Sequence, residues 1–201
     1  LGFRDGANPY TYVRNNPILA SDPLGLLTVI IHGMQPPGFQ PPPPGTYSER
    51  TLLGRTLSDI GEKTIEVNWN GNPFSDTGTA AALSQLADAA AQAQAAGEPL
   101  NIVAHSWGSV LAANYSAGTG ARIDQLFTMG SPLTAAAAQP GSADVWVNFP
   151  SPFDPISWGS LTTGAEQALT GFGVGHTGYW NDPKTVNEIT KRILQRRNPR
   201  K

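Results

Sequence analysis

The sequence predicts an α/β fold, a mostly parallel sheet covered by helices on both faces. Short apolar runs rich in β-branched residues recur from Leu27 onward, and helical stretches alternate with them. Most of those helices carry a capping residue at one end or a glycine at the other. Strands buried on both faces read as continuous apolar runs, as in parallel sheets. Ligands on such sheets sit beyond the C-terminal ends of the strands.

Taken in order, Leu27 to Ile31 reads as a buried strand that ends at His32-Gly33. A Pro-rich loop follows from Gln35 to Gly45, expected to be extended rather than helical. Ser48 is the expected cap of a helix whose stripe is Leu52, Leu53, Thr56, Leu57 and Ile60, with Gly61 as its stop. Thr64 to Trp69 alternates like a strand. Thr79 to Ala96 is an Ala-rich helix closed by Gly97. Leu100 to Ala104 is a second buried strand, and Trp107 to Ala117 is a helix ended by Gly118. Ile123 to Met129 and Val145 to Phe149 read as further strands. Asp182-Pro183 opens a terminal helix with Val186, Ile189, Thr190 and Ile193 on one face.

The chain has 201 residues and a net charge of −2, which fits one domain with a short appendage. The charge argues against nucleic acid as a partner, because phosphate neutralisation needs a basic surface. Cysteine is absent, which excludes thiol catalysis, disulfides and thiolate metal sites. The longest uncharged run, Pro23 to Ser48, holds seven prolines and cannot be a spanning helix. Residues 1–26 differ from the rest, being rich in Asn, Pro, Tyr, Asp and Gly, and are expected to be irregular. The opening Leu1-Gly2-Phe3-Arg4-Asp5-Gly6 reads as the tail of something longer.

The strongest chemical signal is Ala104-His105-Ser106-Trp107-Gly108, lying between a predicted strand and a predicted helix. That is the context of a nucleophile elbow, a tight turn that exposes a Ser hydroxyl at the sheet's edge. The turn crowds the positions two before and two after the Ser, and Ala104 and Gly108 are both small. The bland alternative is a Ser near a helix cap. A Ser nucleophile needs a base. Among three histidines, His105 is expected to point away from Ser106, and His32 to be structural. That leaves His176, in the loop before the last helix. A carboxylate must orient the base. Asp154 follows the strand ending at Phe149 and so falls on the same edge as Ser106, although an Asp before Pro155 can also be a plain turn residue. Asp144 belongs at the other end of that strand, and Asp182 is better read as a cap. The oxyanion donors expected are the backbone N–H groups of Met34 and Trp107. This chemistry requires no metal and no organic cofactor.

Residues Leu27 to about Gln195 resemble the α/β-hydrolase family, close in pattern to small bacterial lipases and esterases. The matching pieces are Ile31-His32-Gly33, Ala104 to Gly108, Met129-Gly130-Ser131-Pro132, Val147-Asn148-Phe149 with Asp154-Pro155, and His176 to Trp180. The resemblance implies a compact α/β-hydrolase fold over 27–201, with Ser106 as nucleophile, His176 as base and Asp154 as orienter. Residues 1–26 resemble the end of the core of rearrangement-hotspot (Rhs, YD-repeat) proteins. The residues that carry this are Asp5-Gly6, Asn8-Pro9-Tyr10, Tyr12-Val13, Asn15-Asn16-Pro17 and Asp22-Pro23-Leu24-Gly25-Leu26. In that family a variable toxin follows the signature, here Asp22, Pro23, Gly25 and Leu26, commonly after self-cleavage. The resemblance therefore implies a secreted effector toxin delivered into a target cell, at its periplasm or membrane surface. A parent shell with its secretion spike would carry it, and a cognate immunity protein would block it. The expected substrate is a membrane lipid or other acyl ester. Acyl transfer, thioester or amide cleavage, and a non-catalytic binding module stay open as alternatives.

Two further features have competing readings. Six of the 13 basic residues lie between Lys191 and Lys201 and either touch lipid headgroups transiently or form a solvated helix end. Trp158, Leu161, Leu169, Phe172 and Val174 lie between acid and base, interrupted by glycines. They form either an apolar flap over an acyl pocket, with Phe39 as the opposite wall, or ordinary core.

Overall fold

The computed structural model describes residues 27–35, 41–134, 140–141 and 143–197. The expectations for residues 1–26, including Asp22, Pro23, Gly25 and Leu26, and for Phe39 lie outside the described residues. Six strands form one parallel sheet. They are β1 (Leu27–Ile31), β2 (Lys63–Val67), β3 (Leu100–His105), β4 (Ile123–Met129), β5 (Ala143–Phe149) and the two-residue β6 (Glu166–Gln167). Their spatial order is β2-β1-β3-β4-β5-β6, and every pair is parallel. The helices are α1 (Leu52–Asp59), α2 (Asp76–Ala96), α3 (Trp107–Thr119) and α4 (Pro183–Arg197). Short 3₁₀ turns span Pro155–Thr162 and Tyr179–Asn181.

The two faces of the sheet bury separate cores. Leu27, Val29 and Ile31 of β1 join Leu86, Ala89 and Leu111 under α2 and α3. Ile30 faces the other way and joins Leu53, Leu57, Val186 and Ile189 under α1 and α4. This two-sided burial is why the strands read as apolar runs instead of alternating. Each Leu, Ile or Val buried this way contributes about 1.5–3 kcal/mol.

Element boundaries follow local chemistry. The cap of α1 is Thr51, not Ser48, because Thr51 Oγ1 accepts from Gly54 N at 3.1 Å. Ser48 N instead donates to the Glu66 carboxylate, together with Gly45 N and Tyr47 N. α2 starts at Asp76, where Ser75 caps it, and Gly97 ends it in the left-handed region as expected. α3 runs past Gly118 and stops at Gly120, whose φ is 64°.

The chain order creates a switch point between β1 and β3. β1 leads to α1 on one face and returns as β2, whereas β3 leads to α3 on the opposite face and continues to β4. The loops leaving β1 and β3 therefore diverge, and a crevice opens between them at the C-terminal edge. Leu57 is fully buried between α1 and the sheet. Leu57→Ala is expected to lower the unfolding free energy by about 3 kcal/mol, read from urea denaturation.

Candidate active site

Ser106 sits at that crevice, between the last residue of β3 and the first of α3. Its φ of 53° and ψ of −125° make it the one non-glycine residue with positive φ among the described residues. Such a conformation costs about 1–3 kcal/mol and persists only where the surroundings over-determine it. Ser106 N donates to Met129 O at 2.9 Å, and Ser106 O accepts from Ser109 N at 3.0 Å. The hydroxyl makes no capping bond to α3, so Ser106 occupies the cap position without capping. A Cβ at Gly108 would fall 2.7 Å from the carbonyl oxygens of Ile31 and His32, which explains the need for glycine two residues after the Ser.

The hydroxyl goes elsewhere. Ser106 Oγ lies 2.8 Å from His176 Nε2, and His176 Nδ1 lies 2.9 Å from Asp154 Oδ2. Asp154 is 1% exposed. Its Oδ2 also accepts from Tyr179 OH at 2.8 Å, while Oδ1 accepts from Ile156 N at 3.1 Å and caps the 3₁₀ turn. One oxygen of Asp154 thus caps the turn, and the other contacts His176 and Tyr179. Burial and the adjacent carboxylate push the Tyr179 phenol far up, so it serves as a neutral donor. A Cβ at Gly130, whose φ is 55°, would fall 2.8 Å from Asp154 Oδ2 and from the Tyr179 ring, and 3.2 Å from His176 Nδ1. A chain of hydroxyl, imidazole and carboxylate in this geometry can carry a proton off the hydroxyl while holding the imidazole in one tautomer.

The residues expected to supply the backbone donors border the same elbow. Gly33 packs directly on the elbow, since a Cβ there would lie 2.6 Å from Ser106 Cβ and 3.2 Å from Oγ. Met34 follows it, half exposed. Trp107 is the first residue of α3, so its N–H has no acceptor inside the helix. Asp144 sits near the opposite end of β5 and pairs with Arg122 and Arg196, each at 2.8 Å. Asp182 Oδ2 accepts from Thr185 N and Oγ1, a cap as expected.

Two residues were not legible as site residues. Tyr179 shows in the sequence only as an aromatic three positions after His176. His105 is not directed away from the site. Its Nε2 donates to His176 O at 2.5 Å, and the two rings lie 4.8 Å apart. Burial and the neighbouring His176 push its imidazole down to about 4, so it is neutral at ordinary pH. The residues between acid and base divide. Val174 is core, whereas Leu169 and Phe172 are largely exposed. Trp158, Leu161 and Leu169 line an apolar groove of about 460 Å³ that includes neither Ser106 nor His176. A larger hollow of about 760 Å³ lies at the opposite edge, beside Arg122 and Asp124.

With this geometry in view, known proteins can be compared. A family model described as alpha/beta hydrolase matches residues 70–165. No curated protein matches the sequence. Solved structures resemble it in fold. An alpha-beta serine hydrolase homologue from Coxiella burnetii shares 14% identity at a TM-score of 0.54, covering 85% of this chain and 84% of that one. A structure reported for LipS and LipT, two metagenome-derived lipolytic enzymes, shares 11% identity at 0.56, covering 87% and 94%. The hyperthermophilic esterase of the archaeon Pyrobaculum calidifontis shares 13% at 0.56, covering 87% and 75%. The family model thus covers residues 70–165, and over most of the chain the solved structures show a shared fold.

Proposed function

We propose that this chain is a serine hydrolase that cleaves acyl esters of membrane-type lipids. The observation that carries the reading is the unbroken contact from Ser106 Oγ through His176 to Asp154, at the switch point of the sheet. Ser106 Oγ attacks the ester carbonyl carbon as its proton passes to His176 Nε2. The carbonyl oxygen becomes an oxyanion facing Met34 N–H and Trp107 N–H. The carbon–oxygen bond to the alcohol then breaks, and His176 returns the proton to the departing oxygen. Water repeats the sequence, losing its proton to His176 and releasing the carboxylic acid and free Ser106. Each step closes without a metal or organic cofactor. His176 becomes cationic during each half-reaction, so a second cation in contact with it would oppose catalysis. His105, held neutral by burial, meets that requirement.

The lipid substrate is supported by the surface around Ser106. Of nine exposed large hydrophobic residues among the described residues, all except Leu194 lie on segments that follow the C-terminal ends of the strands. Met34 and Phe74 follow β1 and β2. Phe153, Ile156, Trp158, Leu161, Leu169 and Phe172 follow β5 and β6, with Phe153 and Phe172 in edge contact at 4.9 Å. An apolar rim of this extent marks a binding surface. No Lys or Arg occurs between Arg122 and Lys184. The basic end of α4 is at the other edge, where Arg192 pairs with Glu166 and Glu188, and Arg196 with Asp124 and Asp144. Contact with lipid through the rim is therefore apolar and not electrostatic. Residues 1–26 support the setting, an effector toxin released from an Rhs-type shell with its secretion spike, delivered to the target cell's envelope and blocked by a cognate immunity protein. Acyl transfer by the same residues is the second reading, since an alcohol can replace water at an open site.

Ser106→Ala is expected to abolish labelling by a fluorophosphonate probe and to reduce fatty-acid release from phosphatidylcholine vesicles by about 10⁴-fold or more. Mass spectrometry of the products checks the substrate. Labelling without lipid cleavage would keep the hydrolase and remove the lipid. Gly130→Ala is expected to reduce kcat by about 100-fold, because a misplacement near 1 Å at the acid and base has that effect. His105 stays neutral in the folded chain down to about pH 4, whereas it titrates near 6.5 once unfolded. The unfolded chain takes up the proton first, so stability falls as pH drops through that window. His32, also pushed down by burial, adds the same sign. His105→Gln is expected to flatten, but not remove, the loss of stability between about pH 6.5 and pH 4 in urea titrations.

A further inference from the structure

His32 has no part in the proton transfers above, yet it is buried one residue before the loop that meets Ser106. The backbone of residues 32–35 is pinned at three points. His32 O accepts from Trp69 Nε1 at 3.2 Å. Gly33 O accepts from His32 Nδ1 at 2.8 Å. Gln35 N donates to Gly71 O at 2.9 Å. Met34 N–H is left without an acceptor among the described residues.

The imidazole is fixed as firmly as the loop. Its ring stacks against both Tyr47 and Trp69, each 5.6 Å away. Tyr47 is held in turn by its own N–H, which donates to Glu66 Oε1. His32 Nε2 is buried with no partner. A neutral imidazole has one proton, and the close contact to Gly33 O, which can only accept, places it on Nδ1.

We propose that His32 is a positioning residue for the oxyanion site, holding the Gly33 carbonyl so that Met34 N–H is presented beside Ser106 Oγ. The inference rests on the hydrolase reading above. In a planar trans peptide the carbonyl of Gly33 and the N–H of Met34 point in opposite directions. Tying the carbonyl to the buried ring therefore turns the N–H away from the ring. Gly33 has no Cβ to resist rotation of this peptide. Released, the peptide can turn over and direct a carbonyl oxygen at the oxyanion, removing a donor and adding a repulsive acceptor.

The test uses two variants of the full chain. His32→Phe keeps a flat ring for the stack and removes the donor. His32→Asn keeps an N–H the same number of bonds from Cα as Nδ1. Read-outs are kcat and KM for p-nitrophenyl butyrate, inhibition by butylboronic acid, fluorophosphonate labelling and thermal unfolding. His32→Phe is expected to lower kcat by about 10- to 100-fold with KM within about threefold. Binding of the boronic acid, whose tetrahedral adduct needs the oxyanion donors, weakens in parallel. His32→Asn is expected to recover most of that loss. Wild-type kcat in His32→Phe, or folded His32→Asn as impaired as His32→Phe, overturns the proposal. If His32→Phe does not fold, His32→Asn decides by itself: kcat near wild type supports the proposal, and a loss beyond about tenfold at unchanged unfolding temperature overturns it. Failure of the wild type to label would instead reject the hydrolase reading, and this inference with it.

Discussion

A Cβ added at Gly33 would lie 2.6 Å from Ser106 Cβ, and one added at Gly108 would lie 2.7 Å from the two carbonyl oxygens that end β1. No side chain fits where the loop after β1, the elbow after β3 and the first turn of α3 meet. This close approach of backbones is what the rest of the candidate site depends on. It sets Gly33, and with it the start of the loop to Met34, against the elbow, and it over-determines the strained φ of Ser106. The sheet order supplies the cause. The neighbouring strands β1 and β3 send their loops to opposite faces, leaving room for a crevice between them.

The electrostatics follow from burial around one carboxylate. Asp154 is almost wholly buried, and three donors compensate it: His176, Tyr179 and the Ile156 N–H. A buried charge is tolerated only when so satisfied, and loss of one partner leaves a large desolvation penalty. The groups around it are kept neutral. Burial pushes Tyr179 up and His105 down, so both are neutral beside His176 at ordinary pH. The apolar rim extends the same logic outward, since a substrate chain covering it would exclude water from the polarised bonds.

Much of this was legible in the sequence, for identifiable reasons. Parallel strands buried on two faces announce themselves as apolar runs, and β4 begins and ends where the run does, at Ile123 and Met129. Ser106 and His176 were reachable because an elbow demands a strand, small flanking residues and a base later in the chain. Asp154 was reachable from its place after β5. What stayed hidden depends on contacts distant in sequence. The cap of α1 moved to Thr51 because Glu66, on β2, takes the N–H groups of the preceding turn. His105 looked dispensable because the strand period turns it from its neighbour, while the return of residue 176 against it is a tertiary event. The apolar residues between acid and base carry no period, so nothing in the sequence separated buried Val174 from exposed Phe172.

The separation of acid from base is fixed by a buried set of hydroxyl and amide groups rather than by regular structure. The acid loop and the base loop have no strand or helix in common, and a sheet edge alone would leave them to drift. Ser151 Oγ joins them directly by donating to Val174 O at 2.5 Å, two residues before His176. Ser157 Oγ donates to the carbonyl of Asp154 at 2.8 Å and accepts from Ser151 N at 3.0 Å, so the 3₁₀ turn closes back on Asp154. Asn148, on β5, then ties the turn to the sheet through Ser160 Oγ, while its Oδ1 accepts from Thr128 on β4. All of these groups are buried, and at such sites each unsatisfied partner would be expensive. Apolar packing of equal volume could fill the same space, but it is non-directional and would tolerate sliding of one loop past the other. Directional bonds define the distance between two side chains that must meet to within a fraction of an ångström. Polar residues concentrated beneath a mostly apolar surface are thus the device by which irregular loops hold a regular geometry.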